Sequence, residues 1–229
     1  MNYTRPLLKD ILDWDVHTWK KAIFLWDRCA PEVAGARVLE LGAGRGGLSL
    51  YFALRGATVV CSDVQWHYAS VPALHEQYGV SSRITYAAFS ATSIPEPDAS
   101  FDIVCFKSIL GAIGQDDNFP QAQRAVGEMH RVLKPGGRLL FAENVTGTPL
   151  HGYLRRKVVP WGSRWKYMRP HEIYKLLMPF REHDLRFTGV VAALGRSEFQ
   201  RSILHALDVV VQPLTPRSWR YVVYGWARK

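Results

Sequence analysis

Glu40 sits within a largely apolar run, Val38–Leu41, and Gly42, Gly44 and Gly46 alternate directly after it. Leu48–Arg55 follows them as a helical stretch and stops at Gly56. A glycine turn between a strand and a helix offers backbone amides to a phosphate or a nucleoside, because no side chain blocks the approach. Asp63 follows about twenty residues on, after the apolar run Thr58–Ser62, where a carboxylate accepts from ribose hydroxyls. More than one ligand fits this corner. Gly42, Gly44 and Gly47 also satisfy G-x-G-x-x-G, which suits a dinucleotide, and a tight turn without any ligand is a third option.

A second group of residues is basic and aromatic. Between Gly147 and Pro170 stand Tyr153, Arg155, Arg156, Lys157, Trp161, Arg164, Trp165, Lys166, Tyr167 and Arg169. The net charge of +9 is unevenly spread: residues 151–229 hold 15 Lys+Arg against 5 Asp+Glu, and residues 1–150 hold 14 against 15. An anionic partner follows as an expectation: a phosphorylated or acidic small molecule, a lipid surface or nucleic acid. A solvated basic face is the plainer alternative.

The elements that must position these groups alternate in type. At 229 residues one large domain is the default. Leu8, Ile11, Leu12, Val16, Trp19, Ile23, Phe24 and Trp26 predict one or two helices over residues 7–28. The cluster Trp14, Asp15, His17 and Trp19 either packs a helix on the sheet or closes as a lid over a cofactor. Strands are expected at Val38–Leu41, Thr58–Ser62, Ile84–Ala88, Phe101–Phe106, Arg138–Glu143, Asp184–Leu194 and Trp219–Ala227. Helices are expected at Leu48–Arg55, Gln65–Gly79, Gln121–Leu133, Pro170–Met178 and Glu198–Val211, with a tight turn at Pro135-Gly136-Gly137. Such alternation argues for a mostly parallel sheet covered on both faces, with the ligand at the carboxyl ends of the strands. Gly42 to Gly46, Asp63, Phe89–Ala91, Lys107–Leu110 and Glu143-Asn144 would all lie along that edge.

Other classes are disfavoured. Met1–Asp15 has no apolar signal-peptide core, and no stretch approaches the roughly 20 apolar residues of a spanning helix. Cys29, Cys61 and Cys105 lack metal spacing, so no metal is expected, and a reducing cytoplasm fits.

Four stretches resemble the class I S-adenosylmethionine-dependent methyltransferases. They are Glu40-Leu-Gly-Ala-Gly-Arg-Gly46 with Asp63, Pro95–Asp102 ahead of the fourth strand, Arg131–Arg138 ahead of the fifth, and the final strand Tyr221–Lys229. The resemblance implies an α/β, Rossmann-like sheet of seven strands in the order 3-2-1-4-5-7-6, strand 7 antiparallel, with helices on both faces. It implies one domain over 1–229: a helical cap (1–30), a cofactor core (36–144), a basic aromatic acceptor insert (145–180) and the final strands (181–229). It also implies S-adenosylmethionine as cofactor. Glu40, Gly42, Ala43, Gly44 and Gly46 would surround its methionine part and Asp63 its ribose. Val64 would pack on adenine. Phe89, Ser90 and Ala91 would stand where many relatives carry an acid. Lys107 would lie near the methionine end, and Trp19 in the lid. A narrower likeness, carried by Asp13–Val16, Trp19 and Gly46–Leu50, is to methyltransferases encoded with bacterial surface-polysaccharide genes.

Methyl transfer from a sulfonium needs alignment and an acceptor lone pair, with a base only for alcohols and amines. His151 is the leading candidate base; Glu143 and His67 follow it. Arg155, Arg156, Arg164, Lys166, Tyr167 and Arg169 are expected to hold the acceptor. The expected reaction is O-methylation of a small-molecule or glycan-type, anionic acceptor. Peripheral contact with the inner membrane surface through the basic insert is an option. RNA ranks behind these, because no Asn/Asp-Pro-Pro-Tyr/Phe follows the fourth strand. A non-catalytic cofactor-binding regulator is the rival from another class.

Overall fold

The computed structural model describes residues 2–30, 32–65, 70–158, 164–195 and 197–229; the side chains of Arg156, Val158 and Glu198 are not among what is described. Two helices come first, α1 (Arg5–Leu12) and α2 (Val16–Cys29). Thr4 caps α1 by accepting from the Leu7 amide at 3.4 Å. Trp19, Ile23 and Trp26 on α2 are buried, and Trp26 Nε1 donates to the Gly225 carbonyl at 3.0 Å, which pins the helix to the sheet.

The sheet follows the expected plan. Strands β1 (Arg37–Leu41), β2 (Thr58–Asp63), β3 (Ile84–Ala88), β4 (Phe101–Lys107), β5 (Leu133–Asn144), β6 (Glu182–Thr188) and β7 (Val222–Arg228) form one seven-stranded sheet, ordered β3-β2-β1-β4-β5-β7-β6. The first five pair in parallel, and β7 runs antiparallel to both β5 and β6. Alternation along β1 divides the core: Val38 joins the apolar cluster under α1, α2 and α3 (Gly47–Leu54). Leu39 and Leu41 join the cluster under α6 (Phe119–Val132) and α8 (Pro170–Leu177). The other helices are α4 (Ser70–Gln77), α5 (Leu110–Ile113), α7 (Pro149–Val158) and α9 (Glu198–Val211).

Four expectations need correction. Pro135-Gly136-Gly137 is not a clean break before the fifth strand: Leu133 already pairs with Phe101, and the register then shifts to pair Arg138 with Ile103. The glycine at 136, with φ +78°, absorbs that bulge. The sixth strand ends at Thr188, not Leu194. Gly189 turns the chain at φ +76°, and the Asp208 carboxylate takes the amides of Val190, Val191 and Ala192, which curls 192–194 into a 3₁₀ turn. The last strand begins at Val222, because Arg217–Trp219 is another such turn. Residues 149–158, for which no element was expected, form α7.

Candidate functional site

The glycine turn is held by carboxylates. Glu40 is buried beneath it and accepts from the Ser49 amide at 2.7 Å and from the Ser49 hydroxyl. Burial pushes its carboxyl up to about 7. Asp63 accepts from the Gly44 amide at 2.8 Å and from the Val64 amide at 2.7 Å. The glycines divide the work. A Cβ on Gly42 would stand 2.4 Å from Ile109 Cγ2, and one on Gly46 2.7 Å from Val71 Cγ1. A Cβ on Gly44 (φ +53°) would meet nothing within 4 Å. Gly44 therefore faces open space, while Gly46 is required for packing on α4, where His75 Nε2 donates to its carbonyl at 2.8 Å.

That open space is a cavity of about 930 Å³. Glu40, Gly42, Ala43, Gly44 and Arg45 form its floor, and Asp10–Asp15 one side. Asp13 and Asp15 both adopt positive φ, which throws Trp14 into the opening, and Arg45 pairs with Asp13 at 2.8 Å. Lys107 lines the floor at the end of β4, with Nζ 4.2 Å from the Trp14 ring centre and 4.9 Å from that of Trp19. Burial pushes its ammonium down to about 8, partly opposed by Asp13 and Asp15. Beside it Ser108 holds φ +59°, and its hydroxyl accepts from the Asn144 side-chain amide at 2.6 Å.

The opposite wall is aromatic. His151, Leu154 and Arg155 of α7, with Trp165, Tyr167, Leu194 and Tyr221, complete the lining. His151 is packed edge-on against Tyr221 at 5.2 Å, and burial, with the Arg155 charge beside it, pushes its imidazole down to about 3. Nδ1 of His151 and Nε1 of Trp165 are buried without a hydrogen-bond partner. Arg155 is no free surface cation: it donates to the Val145 carbonyl at 2.8 Å and lies 4.1 Å from the Tyr167 ring centre. Burial pushes its guanidinium down to about 10.

Several expected site residues sit elsewhere. Trp19 is wholly buried behind Trp14 and outside the lining, so it backs Trp14 and does not reach the cavity. Both Glu143 oxygens accept backbone amides, from Leu110 at 2.6 Å and Asn144 at 2.8 Å; Glu143 anchors the β4–α5 connection and does not line the cavity. Asp63, Val64, Phe89, Ser90 and Ala91 lie beyond Gly44 on the β2–β3 side, outside the lining. The Ser90 hydroxyl is 2.8 Å from that of Thr92. Arg164, Lys166 and Arg169 border a neighbouring cavity of about 840 Å³ that shares Trp165 and Tyr167 with the first. There Arg164 pairs with Asp116 at 3.0 Å, and Lys166 with Asp117 and Glu172. His67 and Trp161, and the side chain of Arg156, lie outside the described residues. Among the described residues no cluster of His, Cys, Asp and Glu could hold a metal.

Sequence reasoning passed over Tyr221, Leu154 and Arg201 as lining residues. No local signal marks them; Tyr221 reaches the cavity because Gly189 leaves room for its ring, where a Cβ would stand 2.3 Å away.

A glycine cradle open only at Gly44, an acid clamped on that amide, and strand ends meeting at one edge suit a nucleoside joined to an amino acid. The methyltransferase domain family matches residues 39–141. A ubiquinone/menaquinone biosynthesis C-methyltransferase of Shewanella oneidensis is 31% identical over 158 residues, 66% of this chain and 57% of that protein. The chain thus spans little more than half the length of the curated relatives it matches. A methyltransferase structure from Bacillus halodurans superposes with a TM-score of 0.66 at 19% identity, covering 92% of this chain and 99% of the other. A phosphoethanolamine N-methyltransferase from Haemonchus contortus, solved with S-adenosyl-L-methionine, gives 0.61 at 19% identity, over 92% and 52%. Residues 39–141 thus carry a methyltransferase domain, on the fold of the class I S-adenosylmethionine-dependent methyltransferases. S-adenosylmethionine is the cofactor that its glycine turn fits.

Proposed function

We propose that this chain transfers the methyl group of S-adenosylmethionine to a small acceptor with an apolar, ring-bearing body. One observation carries the reading: a single cavity joins Gly44 to the wall of Leu154, Trp165, Tyr167 and Tyr221. The cofactor, when bound, supplies a methyl group already activated on a sulfonium. The chain then has to align the acceptor, exclude water and accept a proton. Trp14 and α7 cover the two sides. Lys107, pushed down to about 8, titrates near working pH, whereas His151 at about 3 is a weak base. We therefore assign proton acceptance to Lys107. Uncharged, it also spares the sulfonium a like charge at close range.

This reading departs from an anionic or glycan acceptor that is O-methylated. Three of the cations expected to hold such a group, Arg155, Arg164 and Lys166, are spent on the Val145 carbonyl, Asp116, Asp117 and Glu172. The Shewanella relative is named for C-methyl transfer in ubiquinone and menaquinone biosynthesis, which favours a ring carbon as acceptor. The likeness to surface-polysaccharide methyltransferases has no counterpart among the relatives named above.

The test is to incubate the purified protein with methyl-labelled cofactor and a cell lysate, then separate lipid-soluble, glycan and RNA fractions. Label is expected in the lipid-soluble fraction. Label in glycan or RNA would replace the acceptor class. Retained cofactor binding with no transfer would favour a non-catalytic regulator.

A further inference from the structure

The polarity of α9 is inverted. Surface helices turn their apolar stripe to the core and their charges to water. On α9 the charge is inside: Asp208 is buried and holds the amides of Val190, Val191 and Ala192, and the His205 ring lies 5.5 Å from that of His17. Most of the apolar residues are outside, while Leu204 packs on the core. Phe199, Ile203 and Val210 are 73%, 53% and 66% exposed, Leu207 lies between them, and Leu214 beyond the helix end is 82% exposed. Spacings of four, four, three and four place all five on one stripe. From Ser202 to Pro216 the only charged side chain is the buried Asp208. Such a continuous apolar patch marks a surface that something covers.

The stripe adjoins the cavity mouths. Leu194, just before α9, and Arg201 on it line the larger cavity. Trp219, just after it, lines the neighbouring one together with Pro149 and Gly152 of α7. Exposed Leu150 and Tyr153 on α7 extend the apolar surface there. Exposed Arg217 follows the stripe, and by sequence residues 145–181 carry eight Lys+Arg against one Glu, of which Arg155, Arg164 and Lys166 are engaged with the Val145 carbonyl, Asp116, Asp117 and Glu172. Two copies laid stripe to stripe would oppose like charges, whereas an anionic surface would complement them. No helix among the described residues is long and apolar enough to cross a membrane.

We propose that the outward face of α9 lies in the interfacial layer of an anionic bilayer, with the cavity mouth turned toward the lipid. The stripe enters the headgroup boundary and exposed cations beside it, Arg217 among them, meet lipid phosphates. If the methyl-transfer reading above holds, a lipid-dissolved acceptor reaches the cavity without crossing water.

Co-sedimentation of the full chain with vesicles tests the surface without any turnover, so the outcome is separable from the acceptor reading. Binding is expected to vesicles of phosphatidylcholine containing about one third phosphatidylglycerol, with weaker binding to phosphatidylcholine alone and at high salt. The double substitution Ile203→Glu, Val210→Glu should weaken that binding by about tenfold or more, while melting temperature and cofactor affinity stay unchanged, because both side chains face outward. Two outcomes overturn the proposal: wild-type protein that ignores anionic vesicles, or a double variant that binds them as well as wild type. A stable dimer in solution that the same double substitution splits would instead assign the stripe to a second copy.

Discussion

The Tyr221 hydroxyl donates to Oδ2 of Asp15 at 2.6 Å across 206 residues of sequence, and the Thr18 hydroxyl lies 2.9 Å from the same phenol oxygen. Asp15 caps α2 from a left-handed conformation and is buried. The ring of Tyr221 packs against His151. One side chain thus ties the N-terminal helices, the start of the last strand and the aromatic wall of the cavity together. Tyr221→Phe should keep the packing but remove a donor from a buried carboxylate. We expect a loss of roughly 1–3 kcal/mol in denaturant unfolding, with faster cofactor release. Unchanged stability and release would remove the phenol from that role.

Two neighbouring glycines should respond differently to alanine. In Gly44→Ala the new methyl enters the cavity and the φ of +53° costs about 1–2 kcal/mol. The fold should survive, and calorimetry should show cofactor affinity falling by about tenfold or more. In Gly42→Ala the methyl meets Ile109 Cγ2 at 2.4 Å, so stability should fall further, before any effect on binding. Equal binding losses at equal stability would contradict this division.

Lys107 links stability to pH. Its ammonium titrates near 10.5 when solvated and near about 8 when folded. Between those values the unfolded chain holds more of this proton, so this group makes stability rise with pH across that window. Lys107→Met should flatten the rise, which is on the order of 3 kcal/mol, and should lower kcat by roughly 10²-fold. Unfolding midpoints measured on both sides of pH 9 would detect the first effect. A parallel slope in the variant would exclude Lys107 as its source.

His151 should prove dispensable as a base. Pushed down to about 3, it stays neutral from pH 5 to 8, and His151→Gln should leave the pH profile of kcat/KM unshifted. A general base normally contributes about 10²–10⁴-fold. A loss of that size, with an inflection near pH 6–7 that disappears in the variant, would restore His151 to catalysis.

The alternation of strands and helices and the placing of the glycine turn at the strand ends were legible in the sequence because they rest on local signals, whereas the strand order came only with the resemblance to the methyltransferases. Apolar runs at Val38–Leu41 and Phe101–Phe106, glycines where φ must be positive, and an acid after β2 each act within a few residues of themselves. The acceptor side was not legible, since its features depend on contacts between distant segments. Asp15 and Tyr221 meet only because β7 inserts between β5 and β6. Arg164 and Lys166 look like free cations until the loop after α5 brings Asp116 and Asp117 against them. The helical period of α9 was readable, but which face turns outward was decided by Asp208, whose carboxylate satisfies three backbone amides and so draws the polar face inward. Periodicity specifies that a stripe exists; buried hydrogen-bonding demand in the tertiary structure specifies where it points.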